Sequence, residues 1–139
     1  MTDASTVADE LAIRNAINHI AQLADLAGVD ELDDYMAYIA PDAVWDMNGA
    51  VSEGAEAIRA GAVARRESGT AGPGVPTRHC IVNTVVWVEG DTARAKSYFL
   101  LVGLVGTGEA VVKMSGRYND SFQRYSDGWK YTKREIRFD

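Results

Sequence analysis

Two side chains combine residue types and surroundings suited to proton transfer: Asp25 and His79. Asp25 stands in Leu23-Ala24-Asp25-Leu26-Ala27-Gly28, four residues after Ala21 and eight after Ile17, so it continues an apolar helical stripe. A carboxylate there faces the negative end of the helix dipole, and one turned inward must be neutral or paired. His79 opens the run Thr77-Arg78-His79-Cys80-Ile81-Val82-Asn83. Strand alternation puts His79, Ile81 and Asn83 on one face. Histidine moves protons near neutral pH, and a carboxylate on one ring nitrogen would leave the other as a base. The plain alternatives are a solvated Asp25 at a frayed helix end and a hydrogen-bonded His79 at a strand end.

The remaining reactive inventory is small. His19 falls between the residues of the apolar stripe and reads as exposed. Cys80 points away from His79's face and reads as a small core residue. Arg117 or Arg134, in the late strands, is the candidate to hold an anion developing on a substrate. The alternative for each is a surface cation paired with acidic residues. Trp45, Tyr98, Tyr35 and Tyr38 could line a pocket or simply fill the core. A zinc site built from His19, His79 and carboxylates has no recognisable spacing, and no nucleophile elbow, phosphate loop or dinucleotide fingerprint is present.

Several elements must position these groups. Ser5 and Thr6 read as helix caps, with Asp9 and Glu10 in the first turn. Ile13, Ala16, Ile17, Ile20, Ala21 and Ala24 then mark one face of a long helix that Gly28 stops. A second helix is expected over residues 30–39, a strand over 44–47 with an Asn48-Gly49 hairpin turn, and a third helix over 56–66. From Thr77 the period becomes that of strands: 78–89, 93–105, 109–125 and 129–138, joined by glycine-containing turns as an antiparallel meander. Helices first and strands afterwards indicate an α+β domain spanning residues 1–139. The loop Gly69-Thr70-Ala71-Gly72-Pro73-Gly74-Val75-Pro76-Thr77 is either a connector or a lid, since it runs straight into His79.

Composition narrows the function classes. With 139 residues, one cysteine and a formal net charge of -6, a disulfide framework and a multi-cysteine zinc site are excluded, and the basic footprint of a nucleic-acid binder is missing. Residues 1–60 carry twelve acids and two bases, whereas residues 61–139 carry eight acids and twelve bases. The halves should attract each other or a second copy. Asp25 alone among the acids is expected to be buried in the pocket. The first fourteen residues have no basic, apolar leader pattern, and no apolar run is long enough for a bilayer. A cytoplasmic protein is the expectation.

The order of Pro41-Asp42-Ala43-Val44-Trp45, Thr77-Arg78-His79-Cys80-Ile81-Val82-Asn83, Gly90-Asp91-Thr92-Ala93, Gly116-Arg117-Tyr118 and Asp127-Gly128-Trp129-Lys130 resembles the SnoaL-like branch of the nuclear-transport-factor-2-like superfamily. The resemblance spans about residues 5–138. It implies a cystatin-like cone: a strongly curved, mixed or antiparallel sheet wrapped by about three N-terminal helices around an apolar pocket, with homodimers common. Scytalone dehydratase and hexachlorocyclohexane dehydrochlorinase are Asp–His pocket proteins of this kind. By resemblance, Asp25 and His79 match the dyad positions, and Arg134 matches the pocket arginine of the dehydrochlorinase. The implied function is a lyase, dehydratase-like, or an isomerase, needing no cofactor or metal. Its substrate would be a hydrophobic cyclic or polyketide-like small molecule, contacted by Asn83, Tyr98, Arg134 and Trp45. The alternative is a non-catalytic ligand-binding or dimerisation module of the same fold.

Overall fold

A computed structural model describes residues 3–139; the first two residues of the expected domain lie outside it. The long helix α1 (Ala4–Leu26) forms as its stripe requires, burying Ile13, Ala16, Ile17, Ile20 and Ala21. Its cap differs from expectation. Asp3, not Ser5 or Thr6, caps it, accepting from the Thr6 amide at 2.8 Å and the Ser5 hydroxyl at 2.8 Å. Asp9 therefore lies beyond the first turn and serves elsewhere, as the anion for Arg124 and the Trp129 indole.

The expected second helix is reduced to a 3-10 turn (Val29–Glu31) and a single α-turn, α2 (Asp33–Met36). The chain extends already at Ile39, because the segment from Ile39 pairs with the last strand: Ile39 lies opposite Tyr131. Strand β1 (Ile39–Met47) turns through Asn48 and Gly49, both at positive φ, into β2 (Ala50–Glu53). Two consecutive left-handed residues make the tight hairpin that Asn-Gly favours. Helix α3 (Ala55–Glu67) follows.

The meander β3 (Thr77–Glu89), β4 (Thr92–Gly106), β5 (Glu109–Tyr125) and β6 (Gly128–Phe138) forms as read. Strand β1 joins β6 in parallel, giving one six-stranded mixed sheet in the order β2-β1-β6-β5-β4-β3. The sheet is curved and unclosed. Its register slips at Val82/Val85, Leu101/Val102 and Ser121/Phe122, and each such bulge bends a strand and re-aims the side chains beyond it. Helix α1 packs chiefly against β3. The core joins Ile13, Ile17 and Ile20 to Tyr35, Trp45, Phe99, Tyr118, Phe122 and Tyr131 of the sheet and its approach. No helix among the described residues is long and apolar enough to cross a membrane.

Candidate functional site

The end of α1 is tied down before it presents Asp25. The Ala27 amide donates to the Leu23 carbonyl. Arg66 of α3 adds three charge-assisted bonds: Nη2 to Leu23 O at 3.1 Å, Nε to Ala27 O at 2.6 Å and Nη1 to Ala62 O. A guanidinium over the last carbonyls of a helix answers both the unpaired acceptors and the negative end of the dipole. Gly72 of the 69–77 loop, at φ 112°, sits on the Arg66 stem, where a Cβ would come within 2.7 Å of Cγ. Sequence reading missed Arg66. Its signal was only a basic residue in the last turn of α3, which usually means a solvated end.

Asp25 thus reaches the first residues of β3. Its Oδ1 lies 2.7 Å from His79 Nδ1, and its Oδ2 accepts from the His79 backbone amide at 3.0 Å. The two side chains retain 12% and 22% exposure, so the pair is sheltered while His79 still meets the cavity. A carboxylate only accepts, so Nδ1 carries the proton and Nε2 holds the lone pair of the neutral ring.

The cavity beside this pair has a volume of about 170 Å³ and is mostly apolar, with Ile20, Ala24, Phe99, Leu101, Met114 and Ile136 among its walls. Thr70 and Ala71 of the 69–77 loop contribute to it, so that loop covers one side of the cavity as well as connecting α3 to β3. Trp45 and Arg134 line it as expected, and Tyr35 does too. Gly116 makes room for the Phe99 ring: a Cβ there would lie 2.4 Å from Phe99 Cε1 and 2.3 Å from the Arg137 carbonyl.

Arg134 is the most deeply buried cation among the described residues. It stands directly across the strand pair from Asp120, with Trp45 as its partner on the other side. Nε and Nη2 donate to the two Asp120 oxygens at 2.8 and 3.0 Å, and Nη2 also to the Tyr131 hydroxyl at 2.9 Å. The guanidinium lies 3.8 Å from the Tyr118 ring centre, 4.8 Å from that of Tyr131 and 5.3 Å from that of Trp45. Burial alone would pull Arg134 down, but the Asp120 carboxylate and the surrounding phenols hold it well above the usual arginine range. Burial pushes the Tyr118 phenol up to about 12, so it is a neutral donor at physiological pH. Asp25, expected to be the one acid buried in the pocket, is half-buried beside it, and the acid that is buried is Asp120, 2% exposed. The signal for Asp120 was present: Gly116, Tyr118, Asp120 and Phe122 alternate inward along β5.

Two expected neighbours lie elsewhere. Asn83, at φ 54° in the β3 bulge, is exposed, and Tyr98 is 53% exposed. Both line a hollow with Trp87, Lys96 and Arg117, and neither borders the Asp25–His79 cavity. The bulge breaks the alternation that put Asn83 with His79, and Tyr98 sits one residue out of phase with inward Phe99. Arg117 pairs with Asp139 at the surface. His19 is exposed and bonds the Tyr38 hydroxyl, and Cys80 is half-buried rather than core. The charge halves meet at Arg124–Asp9 and Arg137–Asp46, but Arg134 finds its anion within its own half.

Known structures carry the same architecture. A protein of unknown function with a cystatin-like fold from Nostoc punctiforme superposes with a TM-score of 0.81 at 22% identity, over 96% of this chain and 93% of its own. A Novosphingobium aromaticivorans protein, provisionally named an aromatic ring hydroxylase, gives 0.77 at 28% identity, over 95% and 90%. Another from that organism, provisionally named a scytalone dehydratase, gives 0.74 at 16% identity, over 97% and 87%. No curated protein matches the chain. Residues 5–135 match the SnoaL-like domain, and the chain belongs to that family.

Proposed function

We propose that this protein is a cofactor-independent lyase or isomerase acting on a small hydrophobic cyclic molecule, with His79 as the base. The observation that carries the reading is the 2.7 Å bond from Asp25 to His79 Nδ1 at the wall of an apolar cavity. In the first step Nε2 takes a proton from a carbon beside a carbonyl. The C–H electron pair becomes a C=C bond, and the carbonyl π pair moves onto oxygen. Asp25 holds the ring in the productive tautomer and offsets the imidazolium charge, as an oriented base requires. The enolate then takes that proton back from His79 Nε2 at the far carbon of a neighbouring C=C, an isomerisation, or its electron pair re-forms the carbonyl as a β-substituent leaves with its bonding pair and the proton from Nε2, an elimination. Arg134, with Trp45 beside it, lies where a ligand's polar end would sit. The likeness to a protein provisionally named a scytalone dehydratase fits an elimination and is one of fold.

The test is hydrogen–deuterium exchange at the benzylic carbon of phenylacetone in D₂O, followed by NMR. The wild type should accelerate it and His79→Gln should lose about 10²- to 10⁴-fold, the usual worth of a positioned base. Saturable binding without exchange would favour the ligand-binding module, a reading that the mostly apolar cavity also supports. The homodimer implied by resemblance would use the outer face of β3–β5, where Val85, Trp87 and Tyr98 are exposed; sedimentation velocity checks it.

A further inference from the structure

The polar end of the cavity has an unusual charge balance. Arg134 brings a full positive charge to the floor, yet Asp120 cancels it in a bidentate pair whose side chains are 6% and 0% exposed. What remains on this floor is hydrogen-bonding capacity, whereas the Arg65 and Arg66 guanidiniums bring positive charge to another part of the wall. Arg134 Nε and Nη2 are committed to Asp120 and Tyr131, whereas Nη1 has no bonding partner among the described residues. The Tyr118 hydroxyl has none either. No side-chain nitrogen or oxygen among the described residues is both sealed from space and unpartnered, so these two groups face open volume, and both residues line the cavity.

Tyr118 is also the best-fixed donor there. Its ring is stacked on Phe99 at 4.7 Å and 16°, and the Arg134 guanidinium covers it at 3.8 Å. A phenol held between an aromatic ring and a cation cannot swing away, and the cation on its face strengthens it as a donor. Tyr35, the other phenol of the cavity, stands on the single turn of α2, with the Arg66 guanidinium 6.0 Å from its ring centre and no stacked ring among the described residues. Tyr118 and His79 line the same cavity, so one ligand can meet both this donor and the base.

Size narrows the ligand further. Cavities of about 150 Å³ hold one benzene ring, so about 170 Å³ takes one ring and a short substituent. We infer that Tyr118 donates the hydrogen bond that holds the substrate's oxygen, assisted by Arg134 Nη1, and that the cavity takes a single-ring carbonyl compound. This rests on the reading of His79 as base only for its catalytic half; the binding half stands alone.

The experiment uses phenylacetone, with the tryptophan fluorescence that Trp45 contributes to for binding and benzylic exchange for turnover. Wild type should bind phenylacetone saturably. Tyr118→Phe keeps the stack and the cation contact and removes only the hydroxyl. It should weaken phenylacetone about 3- to 10-fold, the worth of one hydrogen bond, and slow exchange at saturation by more than that. No saturable phenylacetone binding, or a Tyr118→Phe variant that binds phenylacetone like the wild type, would overturn the inference. The two readings fail separately. Exchange lost in His79→Gln but unchanged in Tyr118→Phe removes the donor and leaves the base. Binding weakened in Tyr118→Phe with no exchange in any variant removes the base and leaves the donor.

Discussion

Asp25 grips His79 at two points with one carboxylate: Oδ1 meets the ring at Nδ1, and Oδ2 accepts the backbone amide of the same residue. The second bond fixes the carboxylate plane, so the first fixes the ring. Asp25→Asn can still accept one of these bonds, but its amide then offers a donor to Nδ1. That favours the tautomer with the proton on Nε2, where the lone pair is needed. Exchange of phenylacetone should fall about 10²- to 10⁴-fold with little change in binding. Nitrogen-15 NMR of the ring should show the tautomer reversed; an unchanged tautomer with lost activity would sink this account.

Gly116 exists to let Phe99 lie flat against the sheet. In Gly116→Ala the new methyl meets the Phe99 ring on one side and the Arg137 carbonyl on the other. Backbone cannot yield cheaply, so overpacking of about 1–3 kcal/mol is expected. Urea denaturation should report it. Phenylacetone binding should also weaken, because Phe99 is a cavity wall.

Asp120→Ala leaves the Arg134 cation buried without its anion, which costs about 3–5 kcal/mol. Asp120→Leu combined with Arg134→Met removes both charges and should recover much of the loss. Equal stability of the single and double variants in urea melts would refute the role of Asp120 as the anion of this pair.

Asp9 shapes the acid limb of stability. The Arg124 guanidinium, opposed more weakly by partial burial and helped by the Trp129 indole, holds its carboxyl below the ordinary value. The folded state therefore binds this proton less readily than the unfolded chain does. The stabilisation is present above about pH 4 and is lost as pH falls through the folded value. The stability gap between wild type and Asp9→Asn should close on acidification from pH 7 to pH 2. A gap constant over that range would contradict it.

Tyr118 shapes the alkaline limb with the opposite sign. Burial raises its phenol to about 12, so the folded state keeps a proton that the unfolded chain gives up near pH 10. Its stabilisation is complete below about pH 10 and is lost as pH rises toward 12. Relative to Tyr118→Phe, the wild type should lose stability over that window in denaturation curves; parallel curves would count against it.

By itself the sequence determined the order of elements and most of the site's chemistry. The i, i+3, i+4 stripe from Ile13 to Ala24 made α1, and glycine turns made the four-strand meander, because these signals are local. The same stripe turned Asp25 inward, and the start of β3 offered His79 as its partner. Tertiary structure decided what depends on phase and on distant strands. The extra residue at Thr132 breaks the alternation that Trp129 and Tyr131 begin; unbroken, it would bury Lys133 and expose Arg134. The bulge at Asn83 likewise turns that residue out of the cavity. Pairing of β1 with β6 drew the expected helix over 30–39 into a single turn and a strand. A bulge is one unpaired residue whose position is set by the partner strand's register, and pairing across ninety residues is set by burial; neither has a local signature in the chain.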